Sequence, residues 1–205
     1  MKRIATENNE ATTGSPQDNT AWRRALRQAM VARRRQLTAA AHADLSARIV
    51  THLLKALTLP AGTVVGFCWP VKHEPDVRDA LAAWRQAGCQ AALPVVVAEN
   101  APLAFRHWHP DAKLAPDRYG IPTPTEGEWM IPDVLLLPLN AFDGGGYRLG
   151  YGGGYFDRTL AAAAPRPLAV GVGFEMNRVD SIRPEAHDQR LDWIVSEAGA
   201  FRIGT

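Results

Sequence analysis

Between Phe142 and Arg158 the chain reads FDGGGYRLGYGGGYFDR. Glycines at 144, 145, 146, 150, 152, 153 and 154 alternate with Tyr147, Arg148, Tyr151 and Tyr155, and Asp143 and Asp157 bracket them. Glycine tolerates positive φ and lets backbone N–H groups converge with no Cβ in the way, as an anion cradle requires. A helix starting directly after such a loop adds the partial positive charge of its N-terminus. Arg148 supplies a planar, permanently charged fork that fits a phosphate. Asp143 and Asp157 would repel the same phosphate, unless one of them holds a divalent cation; Mg²⁺ bound by one or two carboxylates together with phosphates is the usual solution. The segment contains neither a Walker pattern nor a G-x-G-x-x-G fingerprint. On spacing alone a phosphate site and a flexible tight-turn loop both stand.

The elements that must hold this segment are legible around it. DVLLLPL (133–139), just before the glycines, is the most apolar strand candidate, and a helix is expected from Tyr155 to Ala164. Upstream, Trp22, Leu26 and Met30 recur at helical spacing. Thr38 is placed to cap a second helix carrying Leu45, Ile49, Leu53 and Leu57, with Pro60 as its stop. Strands are expected at Thr63–Trp69, Gln90–Val97, Leu103–His109, Pro167–Phe174 and Leu191–Glu197, and a helix at Asp76–Gln86. Residues 110–132 read as a proline-rich loop. Strand and helix alternate, which predicts an α/β fold: one three-layer domain with a mostly parallel sheet and helices on both faces. That domain is expected over residues 21–205, after a polar, disordered N-terminal arm of residues 1–20.

Composition narrows the classes. The chain has 205 residues, 46% hydrophobic and 21% charged, with a formal net charge of +2, too mild to imply nucleic acid as a partner. No window approaches the length of a membrane span, and the start lacks the apolar segment of a secretory signal, so a cytoplasmic protein with reduced thiols at Cys68 and Cys89 is expected. The basic residues are nevertheless uneven. Arg23, Arg24, Arg27, Arg33, Arg34, Arg35, Arg48 and Lys55 face a single acid, Asp44, between positions 21 and 55. These form either a solvated helix face or a surface that meets an anion. His107 and His109 share one side of a strand, with no further ligand cluster in support of a metal.

DVLLLPLNAFDGGGYRLGYGGGYFDR resembles the signature of the 5-formyltetrahydrofolate cyclo-ligase family, also called methenyltetrahydrofolate synthetase: an apolar strand, P-x-x-A-F-D, then G-x-R-L-G-x-G-x-G-[YF]-[YF]-D. RRALRQAMVARRRQLT is similar to the family's opening helix and WPVKHEPDVRDAL to its second motif. LPVV, LAFRHW, GIPTP and RPEAHDQRLDWIVSE follow in the family's order. The resemblance implies an ATP- and Mg²⁺-dependent ligase of folate and one-carbon metabolism. Such an enzyme converts 5-formyltetrahydrofolate, which can carry a polyglutamate tail, to 5,10-methenyltetrahydrofolate through a phosphorylated formyl intermediate, releasing ADP and phosphate.

It also implies roles. Gly150, Gly152, Gly153, Gly154 and Tyr155 would line the loop between ATP and folate. Arg148 would neutralise the transferring phosphoryl group, acting there with Tyr155. Arg23 and Arg27 would reach the nucleotide phosphates, and Asp157 and Asp188 would hold Mg²⁺. Glu74 would accept hydrogen bonds from the pterin, and Trp69 would line the folate pocket. Tyr151 falls at a variable position of the motif. Three residues depart from the pattern: Arg23 replaces a lysine, Thr123 an acidic residue and Asn177 a glutamine. A monomer or weak oligomer is expected. A folate- or nucleotide-binding relative without turnover, or an RNA-binding protein using the arginine-rich helix, are the alternatives.

Overall fold

The computed structural model describes residues 16–204. Most of the expected arm therefore lies outside the described residues, but 16–20 are helical rather than part of an arm, because the first helix, α1, spans Pro16–Arg34. α2 (Ala39–Ala56) begins where the sequence indicates: the Thr38 hydroxyl accepts the Ala41 amide at 3.2 Å. The chain continues through β1 (Val64–Gly66), α3 (Arg78–Gln86), β2 (Gln90–Val95), β3 (Ala104–Trp108), β4 (Leu114–Pro116), β5 (Pro122–Pro124), β6 (Trp129–Met130), β7 (Val134–Pro138), β8 (Ala141–Phe142), β9 (Arg148–Leu149), α4 (Tyr155–Ala162), β10 (Leu168–Val172), a 3₁₀ turn at Glu175–Asn177, β11 (Trp193–Ser196) and β12 (Gly199–Arg202).

Eight strands form one sheet in the order β12-β11-β10-β7-β1-β2-β3-β6. The five central strands, β11 to β2, run parallel, while β12, β3 and β6 are antiparallel at the two edges. The expected wet-faced strand at 103–109 is one of these antiparallel members. The proline-rich 110–132 stretch holds the small β4–β5 ribbon as well as loop.

Alternation along the central strands divides the core into two faces. Val134 and Leu136 of β7, Val170 and Val172 of β10, and Ala91 and Leu93 of β2 meet Ile49, Leu53 and Leu57 of α2 and Leu81 and Trp84 of α3. Leu135 and Leu137 of β7 and Ala169 of β10 meet Leu160 of α4 on the other side. The three layers follow from a period of two in the sheet meeting apolar stripes of period 3.6 in the helices. α1 lies apart from both faces. Its Leu26 and Met30 pack on Ala141, Leu149 and Ile182, the apolar side of the β8–β9 ribbon. Among the described residues, no helix is long and apolar enough to cross a membrane.

β1 and β7 are neighbours at the centre, yet β1 leads to β2 on one side and β7 to β10 on the other. The crossovers diverge there, opening a crevice at the carboxyl ends of these two strands. The backbone is packed tightly beside it. A methyl group at Gly173 would stand 2.8 Å from Leu139 Cβ, and Leu139 immediately precedes Asn140 at the crevice. Gly173→Ala is expected to cost about 2 kcal/mol through overpacking, read as a lower urea midpoint at unchanged slope; an unshifted midpoint would show that Leu139 yields freely.

Candidate active site

The segment after β1 turns sharply. Lys72 and His73 both adopt left-handed backbone angles, φ 51° and 58°, a conformation that non-glycine residues hold only when their surroundings over-determine it. Here they do. Arg34 Nε donates to Lys72 O (2.7 Å), His42 Nε2–H to Glu74 O (2.8 Å) and the Asp76 amide to Ser46 Oγ (3.2 Å). The turn sends Glu74 inward, where it is 4% exposed. Burial pushes its carboxyl above the ordinary range, opposed by hydrogen bonds from the Tyr151 hydroxyl and the Val71 amide (3.0 Å) and by Arg34, 3.6 Å away.

Arg34 itself is wholly buried. Its fork also donates to Asn140 Oδ1, just past β7, at 3.0 Å and to the Tyr151 hydroxyl at 2.7 Å. Beyond Asn140 the β8–β9 ribbon closes on Asp143. One carboxylate oxygen of Asp143 accepts the Gly145 and Tyr147 amides (3.0 and 3.2 Å) and the other accepts the Ile182 amide (3.0 Å). This acid shapes the turn, with three backbone amides on its two oxygens.

The ribbon delivers Arg148 buried at the crevice. Its guanidinium donates to Asp157 Oδ1 (3.1 Å) and to Gln189 O (3.2 Å), while the Gln189 amide donates to the same Asp157 oxygen (3.0 Å). Burial draws the Arg148 pKa down, and Asp157 and Asp188 counter it. On α1, Arg23 grips Asp188 with both arms of its fork, at 2.8 and 2.9 Å. Burial lowers the Arg23 pKa, but the Asp188 contacts outweigh it, and the same pairing holds Asp188 below the ordinary carboxylate range against its own burial. Arg23 also feels Asp157 and lies 3.5 Å from Glu185, Arg148 feels Asp188, and Arg27 feels Asp188 and Glu185, so three arginines and three carboxylates form one charge-balanced cluster.

The glycine loop arches beside this cluster. Arg27 Nε donates to Gly150 O at 2.8 Å, and its guanidinium lies 3.5 Å from where a Cβ at Gly152 would stand. Gly152 (φ 98°) and Gly154 (φ 63°, the N-cap of α4) need the left-handed freedom of glycine. Among the described residues, no hydrogen bond uses the amides from Tyr151 to Gly154, which lead into the start of α4. Tyr155, the first residue of that helix, meets Tyr119 hydroxyl to hydroxyl at 3.0 Å.

The structure thus brings together Arg23, Arg27, Arg148, Gly150, Gly152, Gly153, Gly154, Tyr155, Asp157, Asp188 and Glu74. Trp69 is less central: its ring contacts are with Trp108 (6.2 Å) and the Arg78 guanidinium (5.0 Å), on the α3 side. Sequence reasoning left out Arg34, Tyr119, Asn140 and Gln189. Arg34 had a signal, since 23, 27 and 34 fall on one helical face; the other three had none. The arginine-rich helix is neither wholly solvated nor wholly basic on its surface, because those three side chains turn inward. Cys68 is unpaired, and burial pushes its thiol far up, consistent with packing rather than reactivity.

Among the described residues no group of three or more His, Cys, Asp or Glu gathers to hold a metal. The donors on offer are two carboxylates. Asp157 Oδ2 carries no hydrogen bond, whereas both Asp188 oxygens are engaged by Arg23. That set fits a hard cation that draws its other ligands from phosphates and water. Of the three departures, Arg23 uses a fork that a lysine lacks. Thr123 donates to Ile121 O (3.1 Å) and brings no charge, and the buried Asn177 amide reaches no protein partner. Asp188→Asn is expected to destabilise the fold by about 2 kcal/mol, because the buried Arg23 loses its two-armed partner and keeps only the part-exposed Glu185, 3.5 Å away, as counter-ion; an unchanged urea midpoint would contradict this.

The profile of the 5-formyltetrahydrofolate cyclo-ligase family matches residues 19–197. A 5-formyltetrahydrofolate cyclo-ligase of Mycolicibacterium smegmatis is 30% identical over 182 residues, covering 83% of this chain and 91% of its own. One from Escherichia coli is 32% identical over 171 residues, covering 80% and 94%. The solved structure of Aquifex aeolicus 5,10-methenyltetrahydrofolate synthetase superposes with a TM-score of 0.74 at 29% identity, over 89% of this chain and 93% of that one. With the family match running over residues 19–197 and relatives of this identity and coverage, the chain belongs to the 5-formyltetrahydrofolate cyclo-ligase family.

Proposed function

We propose that the protein converts 5-formyltetrahydrofolate to 5,10-methenyltetrahydrofolate with ATP and Mg²⁺, releasing ADP and phosphate. The observation that carries this reading is the juxtaposition of two unlike half-sites at one crevice. On one side lie open glycine amides with Arg23, Arg27 and Arg148, a phosphate-binding set; on the other lies Glu74, a buried carboxylate suited to the N–H donors of a pterin.

The chemistry needs both halves. A formamide carbonyl is a poor electrophile, because the N5 lone pair is delocalised into it. Transfer of the ATP γ-phosphoryl group to the formyl oxygen, with ADP leaving, turns that oxygen into a leaving group. N10 then attacks the same carbon, loses its proton, and phosphate departs. The protein's share is positioning and charge stabilisation rather than a covalent nucleophile. Arg148 stabilises charge on the transferring group, Arg27 and the Tyr151–Gly154 amides hold the nucleotide phosphates, and Tyr155 with Tyr119 borders the acceptor. Asp157, through its unbonded oxygen, and Asp188 would hold Mg²⁺, which supplies charge neutralisation between the phosphates. Arg23, relieved of Asp188, then has phosphate oxygens as its replacement partners.

Mixing protein, MgATP and 5-formyltetrahydrofolate and following methenyltetrahydrofolate by near-ultraviolet absorbance tests this reading; a folded protein giving no product sinks it. Arg148→Lys and Asp157→Asn should each lower turnover by about 10²–10³-fold, and near-wild-type rates would remove these residues from the site. Glu74 must be ionised to accept two donors, and its pKa is raised. Folate KM should therefore rise as pH falls through a window above the ordinary carboxylate range. Glu74→Gln should raise KM and flatten that dependence; a KM independent of pH in the wild type would contradict the role of Glu74.

A further inference from the structure

We propose that Tyr151 is a further positioning residue of this reaction: its hydroxyl caps the Glu74 carboxylate in the free protein and gives it up to the incoming N–H donors of the folate, releasing the glycine loop as it does so. The proposal rests on the reading of Glu74 as the pterin acceptor. Both Glu74 oxygens are occupied in the free protein, one by the Val71 amide at 3.0 Å and the other by the Tyr151 hydroxyl. With Glu74 only 4% exposed, a ligand that reaches this carboxylate from the crevice must move a group that covers it. The Val71 amide belongs to the turn that Arg34, His42 and Ser46 pin from two helices, so it cannot leave. Tyr151 can.

The residue is 41% exposed, it sits between Gly150 and the left-handed Gly152, and its own amide is unbonded among the described residues. What remains after it swings away is stable. Arg34 keeps Lys72 O and Asn140 Oδ1, and stands 3.6 Å from Glu74, so the carboxylate retains a cation beside it until the ligand arrives. The tyrosine hydroxyl is thus a stand-in donor, holding a buried carboxylate that would otherwise lose a hydrogen bond. Because Tyr151 lies within the phosphate-binding loop, the same movement changes the freedom of the Gly152–Gly154 amides. Occupancy of the folate half-site is transmitted to the nucleotide half-site through one side chain. Lys72 Nζ, 4.6 Å from the Tyr151 ring centre, adds a contact that holds the closed arrangement.

Tyr151→Phe keeps the ring and removes the hydroxyl. Calorimetric titration of 5-formyltetrahydrofolate without ATP should show about tenfold tighter binding by the variant, because the internal competitor is gone, and in turnover its folate KM should fall. Hydrogen exchange of the ligand-free variant should show the amides from Gly150 to Gly154 exchanging about tenfold faster than in the wild type, with the rest of the domain unchanged. Weaker or equal folate binding would overturn the competition, and unchanged loop exchange would overturn the restraint. If the wild type binds no folate, the reading of Glu74 fails; the exchange measurement still decides whether the hydroxyl holds the loop.

Discussion

Burial of guanidinium groups at one end of the sheet is the constraint on which the site depends. Arg34, Arg148 and Arg23 are 0%, 5% and 6% exposed. A buried cation left unpaired costs several kcal/mol, so each has to find acceptors, and sequence neighbours supply almost none. Arg23 takes Asp188 from a loop 165 residues away, and Arg34 takes Lys72 O, Asn140 and Tyr151 from three separate segments. The consequence is cross-linking. α1, the turn after β1, the glycine loop and the 185–190 segment are fastened to one another by buried charged and polar contacts, beside the apolar packing of Leu26 and Met30, at the place where the crossovers leave a crevice.

Under the proposed function, such pairing serves because the partners are exchangeable. A site dedicated to stability would favour apolar side chains, which pack at least as well as a buried ion pair. The arginines and carboxylates of this cluster would instead be re-paired, carboxylates with a divalent cation and arginines with phosphates. The left-handed Lys72–His73 turn belongs to the same logic: backbone strain is accepted there to aim Glu74 into the crevice, and three hydrogen bonds from α1 and α2 sustain it.

Local signals explain what was readable from the sequence. β7, α2 with its Thr38 cap, and the strand–glycine–helix order each depend on periodicity or on a turn residue within a short window, and the structure has them where that pattern indicates. What was hidden is what long-range pairing decides. Asp143 looked like a possible ligand until its three amide partners showed it closing a turn. Tyr119 lies in proline-rich sequence, and its contact with Tyr155 depends on where the turn between β4 and β5 comes to rest, not on any local pattern. Arg34 differed from its exposed neighbours Arg33 and Arg35 by helical phase alone, and that phase is meaningful only once α1 is docked on the β8–β9 ribbon.

The exchange of partners is tested most directly by calorimetric titration of MgATP into the double variant Arg23→Gln/Asp188→Asn, which removes the pair without leaving either charge alone. A purely structural pair predicts a folded protein that binds MgATP as the wild type does. Exchange predicts a protein equally well folded, judged by its urea midpoint, whose MgATP affinity has fallen by about a hundredfold, roughly 2.7 kcal/mol. Wild-type affinity in that variant would contradict the account.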